Sequence, residues 1–126
     1  MLADMGARVI KIEGRGGDAW RNTSASNTQT EWDENPLFDL FNIGKRSFSL
    51  NLKTEEGKAI FFKLLEKADI LITNTRQNAL IKLGVDYDSL KERYPRLIYA
   101  TLTGYGYNGP DCNAPGFGPA RALAQT

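Results

Sequence analysis

The chain contains no histidine and a single cysteine, Cys112. The absence of histidine excludes a Ser-His or Cys-His catalytic pair and any histidine-ligated metal within these residues. One cysteine cannot form a disulfide within the chain, and it cannot hold a metal by itself. We therefore expect no metal cofactor.

The sequence also lacks a long apolar run and an excess of charge. No run approaches the roughly 20 residues that a membrane-spanning helix needs, so we expect no membrane association. The 16 Lys and Arg against 15 Asp and Glu give a net charge of +1, which predicts no nucleic-acid partner. The opening residues, MLADMGARVIKIE, show no signal-peptide pattern, and we expect a cytoplasmic protein. With 126 residues, 41% of them hydrophobic, the composition is that of one globular domain.

Strand-like and helix-like segments alternate along the chain. Thr54 is a plausible helix N-cap, and Glu55 and Glu56 follow it where carboxylates suit the helix dipole. The order strand, helix, strand, helix, strand predicts an α/β fold built on a parallel sheet with flanking helices, resembling a Rossmann fold. We predict strands at 8–13, 47–52, 68–73 and 96–103, helices after Thr54 and at 86–94, and an irregular polar connection at 14–36.

Parallel sheets bind ligands beside the residues that follow the carboxyl ends of their strands. Arg76 and Lys82 follow one predicted strand, and Lys53 ends another just before a helix. Each of these cations could simply be a solvated residue that protects a strand edge. Three cations that converge at such an edge would instead suit a polyphosphate, which arginine binds with a fork and lysine as a point charge.

A glycine pattern in the segment GYGYNGP has to be weighed as a dinucleotide motif. Gly104, Gly106 and Gly109 formally satisfy G-x-G-x-x-G, but that motif must open a helix whose N-terminus holds the pyrophosphate. The next residues, PDCNAPG, contain two prolines and a glycine, which predicts a loop. We therefore reject the dinucleotide interpretation.

Several motifs together make the sequence resemble the family III CoA-transferases, the family that includes carnitine dehydratase, the bile-acid-inducible CoA-transferases and formyl-CoA transferase. They are LADMGARVIKIE, the GKRS turn, the strand end LNLK, ADILITN with a basic residue after it, TGYGYNGP and APGF. They occur in unbroken order over most of residues 2–117.

The resemblance implies a set of CoA contacts. Lys45 and Arg46 would belong to the family's turn, whereas the strand end and the tripeptide after the next strand would contact CoA. Arg or Pro often follows KIE in the family, but here Gly14 does, with Arg15 one place later as the candidate for that contact. Tyr105 matches a position near the acyl group. The expected CoA-binding residues are Leu50, Asn51, Leu52, Lys53, Asn74, Thr75, Arg76, Lys82 and Arg15.

The resemblance also implies what the chain lacks. The family nucleophile is an aspartate C-terminal to PGF, and no aspartate of this sequence matches it, so we expect no catalytic residue here. We interpret residues 1–126 as a partial N-terminal CoA-binding α/β domain, cut at both ends, of an enzyme that moves CoA between carboxylic acids. TNTRQ favours the branch acting on 2-hydroxy acids. Acyl-CoA, a carboxylic acid and a second copy are the expected partners. The alternative is a non-catalytic chain that acts at most as a CoA-binding or structural module.

Overall fold

The computed structural model describes residues 1–21 and 35–114. Contacts within the chain divide it into two compact units, Met1–Lys58 and Ala59–Thr126. The division falls inside one helix, and each unit is described by itself.

The first unit contains a parallel pair of strands. β1 spans Ile10–Glu13 and β2 spans Arg46–Ser49, with Ile10 opposite Arg46 and Glu13 opposite Ser49. Parallel strands need a long crossover connection. This connection contains a 3₁₀ turn, Ala19–Arg21, and a helix, α1, at Pro36–Asn42.

Helix α1 was not predicted: Pro36 ends the predicted irregular connection, and no element was predicted for residues 37–42. The helix begins at Pro36, whose fixed φ suits the first helical position. Asn35 caps it, since the Asn35 side chain accepts a hydrogen bond from the Phe38 amide at 3.1 Å. Phe38 is buried and anchors the helix. Residues 22–34 of the predicted connection lie outside the described residues.

Helix α2, Glu55–Leu65, follows β2, and the boundary between the two units falls within it. In the second unit β3, Ile70–Thr73, pairs in parallel with β4, Ile98–Thr101. Two short helices connect these strands, α3 at Gln77–Leu83 and α4 at Tyr87–Leu90. Among the described residues of this unit, the buried apolar side chains are Phe61, Leu65, Leu80, Val85, Leu90 and Tyr94.

Helix α3 is the second element that was not predicted. Its end is well defined, because Gly84 adopts a left-handed conformation at φ 69° and donates its N–H to the Ile81 and Leu80 carbonyls. Its start carries no side-chain cap. The other predicted elements are confirmed with different bounds: β2 begins at Arg46 and ends at Ser49, so Leu50, Asn51 and Leu52 lie after the strand and not in it. The α/β class with parallel strands and flanking helices is confirmed. Within the described ranges, no helix is long and apolar enough to cross a membrane.

Both strand pairs leave large apolar side chains exposed, among them Ile72 on β3 and Ile98 on β4, the latter 61% exposed. In the described ranges each sheet has two strands, so each has open edges.

We predict that the chain self-associates through these edges and apolar side chains. Sedimentation velocity should show a mass that rises with concentration, and charged substitutions such as Ile72→Lys should reduce that rise. A chain that stays monomeric at high concentration would contradict this prediction.

Candidate functional site

The segment between β2 and α2 is held in a tight turn by its own backbone. The Leu50 amide donates to the Glu13 carbonyl at 2.8 Å, which extends the strand pairing by one bond and brings Leu50 into the buried set. The Asn51 side chain accepts from the Lys53 amide at 3.1 Å. The Asn51 carbonyl accepts from the Thr54 amide at 3.2 Å. These bonds fix the backbone that carries Lys53, while Leu52 lies partly exposed.

The start of α2 depends on a close approach between Gly57 and this turn. The Thr54 hydroxyl accepts from the Gly57 amide at 3.1 Å, which confirms Thr54 as a capping residue. A Cβ atom at Gly57 would lie 1.9 Å from the Asn51 carbonyl oxygen. Only glycine therefore allows the helix to start so close to the turn, a requirement that the sequence reasoning missed.

Lys53 and Lys45 differ in their surroundings. Lys53 is exposed, and its ammonium has no hydrogen bond or ion pair with any residue of the described ranges. Lys45 Nζ donates to Asn42 Oδ1 at 3.0 Å, across the turn that follows α1. Lys45 therefore has a local contact across this turn, whereas Lys53 has none among the described residues.

The segment after β3 presents three exposed residues, Asn74, Thr75 and Arg76. The Thr75 amide donates to the Thr73 hydroxyl at 3.1 Å, which turns the chain out of the strand. Arg76 stands just before α3, and its guanidinium has no partner among the residues that the structure describes. It is therefore free to bind a phosphate or carboxylate.

Helix α3 separates Arg76 from Lys82, which the sequence alone had grouped in one segment. Lys82 is exposed in the last turn of the helix. Six helical positions amount to about 9 Å along the axis and roughly 120° around it. The two cations therefore do not share a helix face, and we expect Lys82 to contribute less than Arg76 to any common anion site.

The glycine-rich segment after β4 consists of bends and turns in its described part. The Gly106 amide donates to the Thr103 hydroxyl at 3.0 Å, and Gly106 and Gly109 have positive φ values of 83° and 105°. Tyr105 is partly exposed. In the described stretch 102–114 no helix follows these glycines, which agrees with rejecting a dinucleotide motif.

A buried carboxylate at the end of β1 was not predicted. Glu13 is 8% exposed, less than the isoleucines of its own strand. Arg21 forms a fork with it, with Nε 2.9 Å from Oε2 and Nη2 2.9 Å from Oε1. The Ser47 hydroxyl donates to Oε1 at 3.1 Å, and Lys11 Nζ lies 3.4 Å from the same atom. Lys11 and Arg21 also lie over the Phe38 ring, at 4.4 and 4.2 Å from its centroid. We call Glu13, Arg21, Lys11 and Ser47 the Glu13 cluster.

The Glu13 cluster predicts a loss of stability in acid. The Arg21 fork, with smaller contributions from Ser47 and Lys11, outweighs burial and holds the pKa of Glu13 at about 2, from an ordinary 4.5. A lowered pKa adds stability above about pH 4.5, and that stability is lost as the pH falls toward 2. We expect the wild type to lose about 2 kcal/mol more unfolding free energy than Glu13→Gln between pH 5 and pH 2.5. Urea unfolding at both pH values measures this, and equal losses in the two proteins would contradict it.

The predicted site residues divide between the two units. Arg15 and residues 50–53 belong to the first, and Asn74, Thr75, Arg76, Lys82 and Tyr105 belong to the second. Among the described residues, Lys53 in the first unit and Arg76 in the second are exposed cations without partners, and each follows a strand.

The family model described as CoA-transferase family III matches residues 1–125, and the chain belongs to that family. It is 51% identical over 117 residues to the cinnamoyl-CoA:phenyllactate CoA-transferase of Clostridium sporogenes, covering 92% of this chain and 28% of that protein. It is 47% identical over 118 residues to the (R)-2-hydroxy-4-methylpentanoate CoA-transferase of Clostridioides difficile, covering 93% and 30%. The crystal structure of a CAIB/BAIF family protein from Brucella suis matches with a TM-score of 0.81 and 38% identity over 92% of this chain and 31% of that chain. The chain thus spans about a third or less of these relatives' lengths.

Proposed function

We propose that residues 1–126 form part of the CoA-binding α/β domain of an acyl-CoA:carboxylate CoA-transferase. The observation that carries the proposal is the turn after β2. There an exposed cation without a described partner, Lys53, stands on a backbone fixed by the Asn51 bonds, in the segment where the family resemblance expects CoA.

In this proposal exposed cations of the chain hold the phosphates of CoA. Arg76 supplies a fork for one phosphate, and Lys53 and Lys82 act as point charges. The Asn74 and Thr75 polar groups are exposed beside Arg76 and can hydrogen-bond the same ligand. Leu50 is buried, so its contribution is to fix the turn and present its backbone.

The complete reaction requires a nucleophilic aspartate, and no aspartate of this sequence matches the position that the family resemblance implies. In the proposed mechanism an aspartate carboxylate attacks the acyl-CoA thioester, giving a mixed anhydride and the CoA thiolate. The thiolate then attacks the aspartyl carbonyl, the donor acid leaves, and the aspartyl-CoA thioester passes CoA to the acceptor acid. Residues 1–126 would bind CoA during these steps without taking part in bond making.

We further propose 2-hydroxy acids as the acids used. Phenyllactate and 2-hydroxy-4-methylpentanoate, named for the two transferases above, are both 2-hydroxy carboxylates. Tyr105, in the TGYG segment, is our candidate contact to the acyl group. The same proposal predicts that the protein is cytoplasmic and that it forms a homo-oligomer.

A non-catalytic CoA-binding module is the second candidate. The test is a CoA-transfer assay with phenyllactate as acceptor, beside a calorimetric titration of CoA, both on the 126-residue chain. We expect saturable CoA binding that weakens with added salt, and no transfer. A hydroxylamine-sensitive acyl-enzyme on this chain would contradict the assignment of the nucleophile. A chain to which CoA does not bind would contradict the CoA site.

A further inference from the structure

Arg15 lies in a turn that a backbone hydrogen bond closes. The Gly17 amide donates to the Gly14 carbonyl at 2.9 Å, which makes Arg15 the second residue of a four-residue turn. Arg15 is exposed, and its side chain has no hydrogen bond or ion pair with the parts of the chain that the structure describes. The turn therefore presents a cation to solvent.

Glu13 holds this turn from its N-terminal side. The Asp18 amide, just after the turn, donates to Glu13 Oε2 at 3.2 Å. Gly17 has φ 73°, and a Cβ there would lie 3.2 Å from Arg21 Cδ and 3.7 Å from Glu13 Oε2. The turn thus packs directly against the fork between Glu13 and Arg21.

The same residue also joins the turn to the segment that carries Lys53. The Glu13 carbonyl accepts from the Leu50 amide, and its carboxylate accepts from the Ser47 hydroxyl on β2. One buried residue therefore constrains the backbone segments that carry two exposed cations, the turn of Arg15 through the Glu13 carboxylate and the segment of Lys53 through the strand end. Both cations lie within the first unit.

We propose that Glu13 is a positioning residue for CoA: without touching the ligand, it holds Arg15 where its guanidinium binds a CoA phosphate beside Lys53. This inference rests on the proposed CoA site. Its chemistry is that of an anion contact made from a turn whose backbone is already fixed, so that less backbone freedom is lost on binding. A Glu13 that only stabilised the fold would affect CoA binding equally whether or not Arg15 is present.

A double-mutant cycle of Glu13→Gln and Arg15→Ala tests this, with CoA affinity measured by calorimetry and unfolding measured by urea. We expect Arg15→Ala to weaken CoA binding roughly tenfold, because a charge-assisted bond is lost. Glu13→Gln should weaken it severalfold in the wild type and have little further effect in Arg15→Ala. Arg15→Lys should retain part of the affinity and keep its dependence on Glu13.

Two further variants keep the test decisive if Glu13→Gln fails to fold. Arg21→Lys retains a cation next to Glu13 but cannot form the two-bond fork, so it should lower CoA affinity only when Arg15 is present. Asp88→Asn removes a carboxylate from the exposed pair with Lys91, at 2.6 Å, and should leave CoA affinity unchanged.

Losses that add in the double variant would overturn the proposal, as would an Arg15→Ala variant that binds CoA like the wild type while Lys53→Ala binds weakly. If Lys53→Ala and Arg76→Ala also bind like the wild type, the CoA site itself fails. The two failures are therefore distinguishable.

Discussion

Replacing Gly57 with alanine should destabilise the chain by about 2–3 kcal/mol, in the range of overpacked sites. In an ordinary helix the same change would add up to about 1 kcal/mol of stability, because alanine has the higher helix propensity. Here the added Cβ would lie 1.9 Å from the Asn51 carbonyl oxygen, a backbone atom that cannot rotate away. Either the turn after β2 or the start of α2 must move. Urea unfolding of Gly57→Ala and the wild type measures the difference.

Lys63→Ala is the matched control for this substitution. Lys63 lies later in α2, is exposed, and has no ion pair among the described residues. We expect its unfolding free energy to stay within about 0.5 kcal/mol of the wild type. A Gly57→Ala variant as stable as this control would show that the helix and the turn do not approach so closely.

The parallel strands and α2 were predictable because their signals are local. β-branched runs of strand length mark β1, β3 and β4, and Thr54 with its two glutamates marks the start of α2. The order of these elements was enough to predict the α/β class. The strands have four residues each and are shorter than predicted: β1 and β3 begin two residues later, β2 ends three residues earlier, and β4 is shortened by two residues at each end.

Helices α1 and α3 were missed for a common physical reason. Each has seven residues, too few for a helical period to stand out from an apolar strand or a loop. The start of α1 carried a usable signal in Asn35-Pro36, an N-cap followed by proline at the first helical position. Helix α3 has no capping side chain at its start, and only Gly84 marks its end.

The exposed cations of the candidate site could be predicted from the sequence, whereas the buried contacts that hold their backbone could not. Lys53 and Arg76 follow strands, where α/β sheets bind ligands, so their position in the sequence was informative. The Glu13 cluster depends on Arg21, eight residues away, and Ser47, 34 residues away. A single glutamate at a strand end carries no pattern that could reveal those partners. The close approach of Gly57 to the Asn51 carbonyl likewise depends on how the helix packs against the turn, which no sequence pattern shows.

Arg76→Ala should cause the largest loss of CoA affinity among single substitutions at the candidate site. An arginine fork makes two charge-assisted bonds with a phosphate, each worth roughly 1.5–3 kcal/mol, and alanine removes both. We therefore expect a loss of tenfold or more. Lys82→Ala should cost less, since a lysine is a point charge and α3 turns Lys82 to another face of the helix. Calorimetric titration of CoA into each variant gives the affinities.

Lys45→Ala provides the control for these losses, because it removes one exposed lysine that already donates to Asn42 at 3.0 Å.

The central claim is that particular cations of this chain, and not its general surface charge, bind the phosphates of CoA. Titration of CoA into the wild type, Arg76→Ala and Lys45→Ala at one low salt concentration tests that claim most directly. The account predicts a loss of tenfold or more for Arg76→Ala and nearly unchanged affinity for Lys45→Ala. Equal losses in both variants would contradict it and would indicate a diffuse basic surface.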